Sequence, residues 1–228
     1  MSSGRPRFLI LNSAFMDEFA KGNPEIVSQT EELLFLLWRV CSITAHPSCK
    51  LTVSAIVSIQ QIHEYCREAA ILCMRSHPNV GLALVRLACE LSRDVIRMAA
   101  DARAEAVWNE KTTKKQAYRD KFKFNLPKER ILFDIYKISS EFGVHGHRKL
   151  TNKTGEVLKI YEEDYVILQT SKEFIISCLK FNLATMHAFV LLFLNEHERY
   201  LKGSIDDPAI WQYWIEIAEE VREIEIVF

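Results

Sequence analysis

Between Gly81 and Pro127 the chain holds neither glycine nor proline, and the 228-residue sequence has only 7 and 6 of them in all. Such a gap excludes a region of tight turns and leaves room for long helices, which these residues interrupt. Internal repeats and low-complexity linkers are also missing, which excludes a stacked repeat array. The cysteines, at 41, 49, 66, 73, 89 and 178, include no C-x-x-C pair, and several fall on apolar helical faces, where Cys acts as a small hydrophobe. A reduced, intracellular compartment follows. A formal net charge of −1 excludes a protein that is basic throughout. The longest apolar patch, around Leu183 to Leu194, is broken by His187 and falls short of the roughly 20 residues that a membrane span requires. The N-terminal run Phe8 to Leu11 is too short for a signal sequence and is soon followed by Asp17 and Glu18. The expectation is a soluble cytoplasmic protein with no membrane partner.

What is present is helical periodicity. With 49% apolar and 26% charged residues, wholesale disorder is excluded and the chain has ample length for a core. The stretch Pro78 to about Glu110 reads as one long helix, with Pro78 at a first helical position. Leu84, Leu87, Ala88, Leu91, Val95, Met98 and Ala102 share one arc, which Val85, Cys89 and Ile96 widen past half the circumference. Arg86, Glu90, Arg93, Asp94, Arg97 and Asp101 are confined to the narrow strip that remains. This helix is expected to be buried on most sides.

The flanking segments fit around it. A short helix from Phe8 to Ala20 ends at Gly22, and Asn23-Pro24-Glu25 opens a second that stops before Pro47. A third runs from about Thr52 to Ser76. Lys111 to Phe124 reads as a basic surface helix or loop with Tyr118, Phe122 and Phe124 interleaved. Pro127 opens a helix that Gly143 would end, and an extended loop follows over residues 144–156. Val157 to Tyr161 could be a brief strand, but no partner is evident. Thr170-x-x-Glu173 resembles a capping box for a helix over 171–202, and Asp207-Pro208 caps a last one over 208–225. The expected fold is all-α, a single antiparallel bundle of about six or seven helices in one domain, 1–228.

Three groups of residues carry possible chemistry. Arg86 and Glu90, at i and i+4, share one helix face. On a solvated strip they would form a salt bridge worth at most a few tenths of a kcal/mol; facing other helices, they would need pairing and would mark a cleft. His145-Gly146-His147-Arg148 is the densest cluster of acid–base and phosphate-binding groups, or else a solvated loop. No carboxylate or cysteine accompanies the H-x-H pair at a suitable spacing, so neither a metal nor a cofactor is expected. From Glu110 to Lys153 twelve basic residues face five acidic ones, and Lys114, Lys115 and Arg119 could contact RNA phosphates or simply be solvated. Arg39 and His46 match a loose R-x(4 to 6)-H nuclease pattern that arises readily by chance.

A helix ending near CREAAILCM, then LVRLACELSRDV with Arg86 and Glu90, then Trp108, then SEFGVHG, resembles a family of uncharacterised bacterial and phage proteins. These are grouped with the HEPN (higher eukaryotes and prokaryotes nucleotide-binding) helical bundles, and the resemblance covers about residues 50–150. It implies an antiparallel bundle, frequently a homodimer, in toxin–antitoxin and anti-phage systems, with an antitoxin or regulatory protein as partner. It further implies a metal-independent ribonuclease or an RNA-binding protein. Arg86 would then bind the phosphate, Glu90 would orient it or a histidine, and His145 would serve as general acid–base; His147, Arg148, Lys114, Lys115 and Arg119, read from the residues themselves, are the candidate RNA contacts. The family pattern places Arg and His close in sequence, whereas Arg86 and His145 are far apart. The other expectations are a non-catalytic interaction or oligomerisation module and a small-anion or nucleotide sensor.

Overall fold

The computed structural model describes residues 14–49, 51–124, 129–144, 155–160, 163–168, 172–201 and 207–226. The class is all-α. The chain runs through α1 (Ala14–Gly22), α2 (Pro24–Thr44), α3 (Val53–Met74) and α4 (Pro78–Ala100), then α5 (Ala102–Asn109) and α6 (Lys115–Lys121). It continues through α7 (Arg130–Ser139), a π turn (Ser140–Val144), α8 (Lys172–Leu201) and α9 (Pro208–Glu223). Local chemistry sets several starts. Thr52 accepts a hydrogen bond from the Ala55 amide at 3.3 Å, Asp207 accepts one from the Ala209 amide at 2.9 Å, and Pro24 and Pro78 occupy first-turn positions. Asn23 behaves differently, donating its Nδ2 to the Phe19 carbonyl at 2.8 Å and so tying α1 to α2.

Four expectations need correction. The long helix from Pro78 to Glu110 breaks at Asp101, which is extended (φ −150°, ψ 110°) and accepts from the Arg103 amide at 2.9 Å as the N-cap of α5. That break and the separate α6 raise the count to nine helices among the described residues, above the six or seven expected. Gly143 does not stop its helix, because α7 winds on through the π turn. Lastly, the strand without an evident partner has one: β1 (Gly155–Ile160) pairs antiparallel with β2 (Glu163–Leu168), from Gly155 opposite Leu168 to Ile160 opposite Glu163.

One apolar core runs from Met16 to Val221, with α4 at its middle packed on α3, α7 and α8. Gly81 permits the close α3–α4 approach, since a Cβ there would lie 2.6 Å from Cys73 Sγ and 2.9 Å from the Ala69 carbonyl oxygen. Helix α8 carries an apolar stretch, Lys172–Asn195, long enough by length and composition to cross a membrane, which corrects the shorter estimate from sequence. Most of that stretch is buried in the bundle, so its apolarity serves the core.

Two histidines, His63 and His187, titrate with the fold. His187 donates Nε2–H to the Val221 carbonyl at 3.0 Å, joining α8 to α9, and His63 is buried on α3. Burial pulls both below the ordinary histidine range, against a smaller opposing pull from the Val221 carbonyl on His187 and from Glu64 on His63. The neutral rings therefore contribute stability that is complete above about pH 6.5 and is lost as pH falls toward their folded values. Thermal unfolding is expected at a lower temperature at pH 5 than at pH 7, with a shallower slope in the His63→Gln/His187→Gln variant. Parallel pH profiles for the two proteins would remove both histidines from the account.

Candidate functional site

The charges of the α4 polar strip are paired, and its middle is turned into the protein. At its centre Asp94 is buried and is met by four donors. Arg93 donates Nε–H at 2.9 Å and Nη2–H at 2.6 Å to Oδ1, while Tyr118 Oη at 2.8 Å and Trp108 Nε1 at 3.0 Å donate to Oδ2. Burial pushes the Asp94 carboxyl upward, against the opposing pull of Arg93, Tyr118 and Trp108. Burial disfavours the Arg93 cation too, but Asp94, Tyr118 and Glu90 together outweigh it and hold that guanidinium charged. Arg93 also lies over the Phe124 ring, 4.8 Å from its centroid. These contacts fasten α5 and α6 to α4. One turn further on, Arg97 Nη2 donates to the buried Glu129 carboxylate at 2.7 Å, fastening the start of α7.

At the other end of the strip the structure joins Arg86 and Glu90, with Nη2 to Oε1 at 3.0 Å. Their side chains are 27% and 29% exposed, so this pair is reachable from solvent in a way that Asp94 is not. The Arg86 guanidinium lies over the Tyr136 ring at 5.5 Å, and its Nε is buried with no hydrogen-bond partner among the described residues. Two turns beyond Tyr136, Gly143 lies against the backbone of α4, where a Cβ would be 2.6 Å from the Ala83 nitrogen. The π turn therefore reaches α4 one helical turn before Arg86, two residues ahead of His145 in the chain. His145, His147 and Arg148 themselves lie outside the described residues.

The predicted basic group sits on α6 and its N-cap, Lys114. Lys114, Lys115 and Arg119 are exposed, and Lys114 pairs with Glu110 at 2.8 Å. α6 is anchored at Asp94 through Tyr118, eight residues and about 12 Å along α4 from Arg86. The aromatics interleaved with it turn inward, against the surface reading. Phe122 is buried, Tyr118 bonds to Asp94, and Phe124 packs 5.3 Å from the Tyr136 centroid. Stacking on RNA bases is not available to them in this arrangement.

The alternative pair does not come together as a site. Arg39 is buried, donates Nε–H to Tyr213 Oη at 3.0 Å and pairs with Glu220 at 2.5 Å, with its guanidinium 4.6 Å from the Tyr213 centroid. Glu220 and Tyr213 outweigh the cost of burial and hold it charged. Arg39 is thus the brace between α2 and α9. His46 Nδ1 instead accepts from the Ser48 amide at 3.3 Å, within the turn after α2.

Other chemistries find little support among the described residues. All six cysteines are free and buried, and burial pushes the Cys41 and Cys89 thiols up to about 12 and that of Cys49 to about 11, far from a reactive thiolate. No three His, Cys, Asp or Glu side chains among the described residues converge to hold a metal ion. A cleft of about 380 Å³ between α1 and α8, and one of about 360 Å³ along α9, include none of the candidate residues. Sequence reasoning missed Tyr136, which lies against Arg86, and Ser139 and Ser140, whose hydroxyls are buried without a hydrogen-bond partner among the described residues. Their spacing before Gly143, at three, four and seven residues, marks one helix face. Comparison with family models, with curated proteins and with solved structures returned no match to this chain.

Proposed function

We propose that the chain is a HEPN-like, RNA-binding helical bundle of the metal-independent ribonuclease type, with Arg86 on a phosphate and His145 as the proton-transfer group. The observation that carries this reading is the state of Arg86. It is half-buried, matched only by Glu90 on its own helix, and has an N–H directed at no acceptor among the described residues. The chain reaches this end of α4 through Gly143, two residues before His145.

In the chemistry this implies, the ribose 2′-oxygen attacks the adjacent phosphorus and the P–O5′ bond breaks. A 2′,3′-cyclic phosphate and a free 5′-hydroxyl result. An imidazole titrating near neutrality takes the 2′-hydroxyl proton and returns one to the departing 5′-oxygen. The guanidinium offsets the charge that gathers on the equatorial oxygens. Glu90 holds Nη2 and so fixes the orientation of the guanidinium plane. Lys114, Lys115 and Arg119, exposed on and beside α6, would take neighbouring phosphates. A cytoplasmic setting, a second copy and an antitoxin-like partner belong to the same proposal.

The test is cleavage of mixed single-stranded RNA by the full chain in the presence of a metal chelator. Arg86→Ala and His145→Ala are each expected to reduce the rate about 100-fold or more. Lys114→Glu/Lys115→Glu should weaken RNA binding and flatten its salt dependence by about two units of slope. Identical behaviour of the wild-type chain and both single variants removes the catalytic assignment. One observation favours the interaction-module reading: Val80 and Leu87, two turns apart on α4, and Ile131 on α7 leave apolar surface exposed. Self-association without RNA binding would decide for it.

A further inference from the structure

We infer that the hydroxyls of Ser139 and Ser140, together with the Nε–H of Arg86, form a built recess for one oxyanion. On the RNA reading above, on which this identification rests, that oxyanion is a backbone phosphate. The starting observation is an anomaly of satisfaction. The side-chain oxygens of Ser139 and Ser140 and the Arg86 Nε are all buried and without a hydrogen-bond partner among the described residues. Buried polar atoms in that state are rare and costly, so each calls for a reason.

Most helical hydroxyls in this chain do not behave so, Ser58 on α3 being the other buried exception. Thr30, Ser42, Thr44, Ser92, Ser177 and Thr185 each donate to the carbonyl four residues back, at 2.6–3.0 Å. Ser139 and Ser140 forgo that bond, although Ser139 is fully buried at 0% exposure.

The fold brings the three groups to one level. Helices α4 and α7 run antiparallel, as Arg97 bonded to Glu129 at one end and Ala83 against Gly143 at the other require. Between these contacts Arg86 lies over Tyr136. Ser139 and Ser140 follow Tyr136 by three and four residues, on the side that Tyr136, on α7, and Gly143, in the π turn, both turn to α4. The hydroxyls are thus bracketed by the contacts at Arg86 and Ala83. Ser140 begins the π turn, a distortion that recurs at functional positions.

Chemistry selects the ligand class. The Nε–H can only donate, and each hydroxyl is free to donate, so three donors lack an acceptor while a guanidinium supplies positive charge. A tetrahedral oxyanion meets that demand. The Glu90 carboxylate opposes it, and the more-than-quarter exposure of Arg86 and Glu90 lets this pair turn outward to admit the ligand.

The test uses the full chain with Ser140→Ala, Ser140→Thr and Glu90→Gln, reading melting temperature, binding of labelled single-stranded RNA, and binding of inorganic phosphate. Ser140→Ala is expected to weaken both ligands about tenfold, as loss of a hydrogen bond to a charged group predicts. Its melting temperature should stay level or rise, since that hydroxyl has no internal partner to lose. Ser140→Thr should restore binding, and Glu90→Gln should tighten phosphate. If RNA and phosphate bind the wild-type chain and Ser140→Ala equally, the recess is wrong while the RNA reading stands. If only phosphate binds, and depends on Ser140, the recess stands and the RNA reading falls. A drop in melting temperature in Ser140→Ala, or no binding of either ligand, overturns the recess.

Discussion

Replacing Asp94 with alanine is expected to lower the unfolding free energy by about 3–5 kcal/mol, the largest stability effect of any single change in the strip. The reason is asymmetry. Asp94 accepts from Arg93 twice, from Tyr118 and from Trp108, and its removal leaves a buried guanidinium without its carboxylate, held only by the Tyr118 hydroxyl at 2.9 Å and the Phe124 ring, while the Tyr118 and Trp108 donors lose their acceptor. In a chain of this size that loss corresponds to a melting temperature about 6–20 °C lower. Replacing both charges, as Arg93→Met/Asp94→Leu, should recover most of it, because no lone ion remains. Denaturant titration of the three proteins separates the cases. A loss below about 1 kcal/mol in Asp94→Ala would mean that water enters and stands in for the carboxylate.

The second large effect is expected at Gly143. A methyl group there would sit 2.6 Å from the Ala83 nitrogen and 2.9 Å from the Leu82 carbonyl carbon, both backbone atoms that no side-chain rotation can move aside. Gly143→Ala should therefore cost about 1–3 kcal/mol and part α7 from α4 beside Arg86. Gly22 supplies the control. Its nearest neighbour is the Lys172 Nζ at 3.9 Å, an ordinary contact, so Gly22→Ala should shift stability by no more than about 0.5 kcal/mol. If RNA binding survives Gly143→Ala while stability falls, the approach of the π turn to α4 is structural and the site lies elsewhere.

Much of the helical layout is legible in the sequence because helix starts are local. Thr52, Pro78 and the Asp207-Pro208 pair act through bonds within a few residues of themselves, and the helices they open appear where expected. The break at Asp101 is not legible, because the apolar arc continues from Met98 to Ala102 without glycine or proline. Only the backbone reveals that the carboxylate caps a new helix. The hairpin escapes for the opposite reason: strand pairing is a relation between two segments, and neither β1 nor β2 alone identifies its mate.

The strip from Arg86 to Arg97 could be named from its spacing, but not its partners. Glu129 and Trp108 lie 32 and 14 residues away from the groups they bond, and Tyr118 is disguised among lysines that suggest a solvent face. Arg39 shows the converse. Its spacing from His46 matches a nuclease pattern, yet its partners lie 174 and 181 residues on, at Tyr213 and Glu220, where no local pattern reaches.

The two fixed points of α7 on α4 have a consequence for how this chain can vary. Glu129 to Gly143 is a span of fourteen residues, and so is Ala83 to Arg97. Two rods riveted at both ends, one of them wound as a π turn at its last residues, hold the intervening contacts in place over about 20 Å. Inserting or deleting one residue in either rod swings everything beyond it by about 100° and leaves a rivet without its hole. Tolerated length changes should come as matched pairs or fall outside these segments altogether.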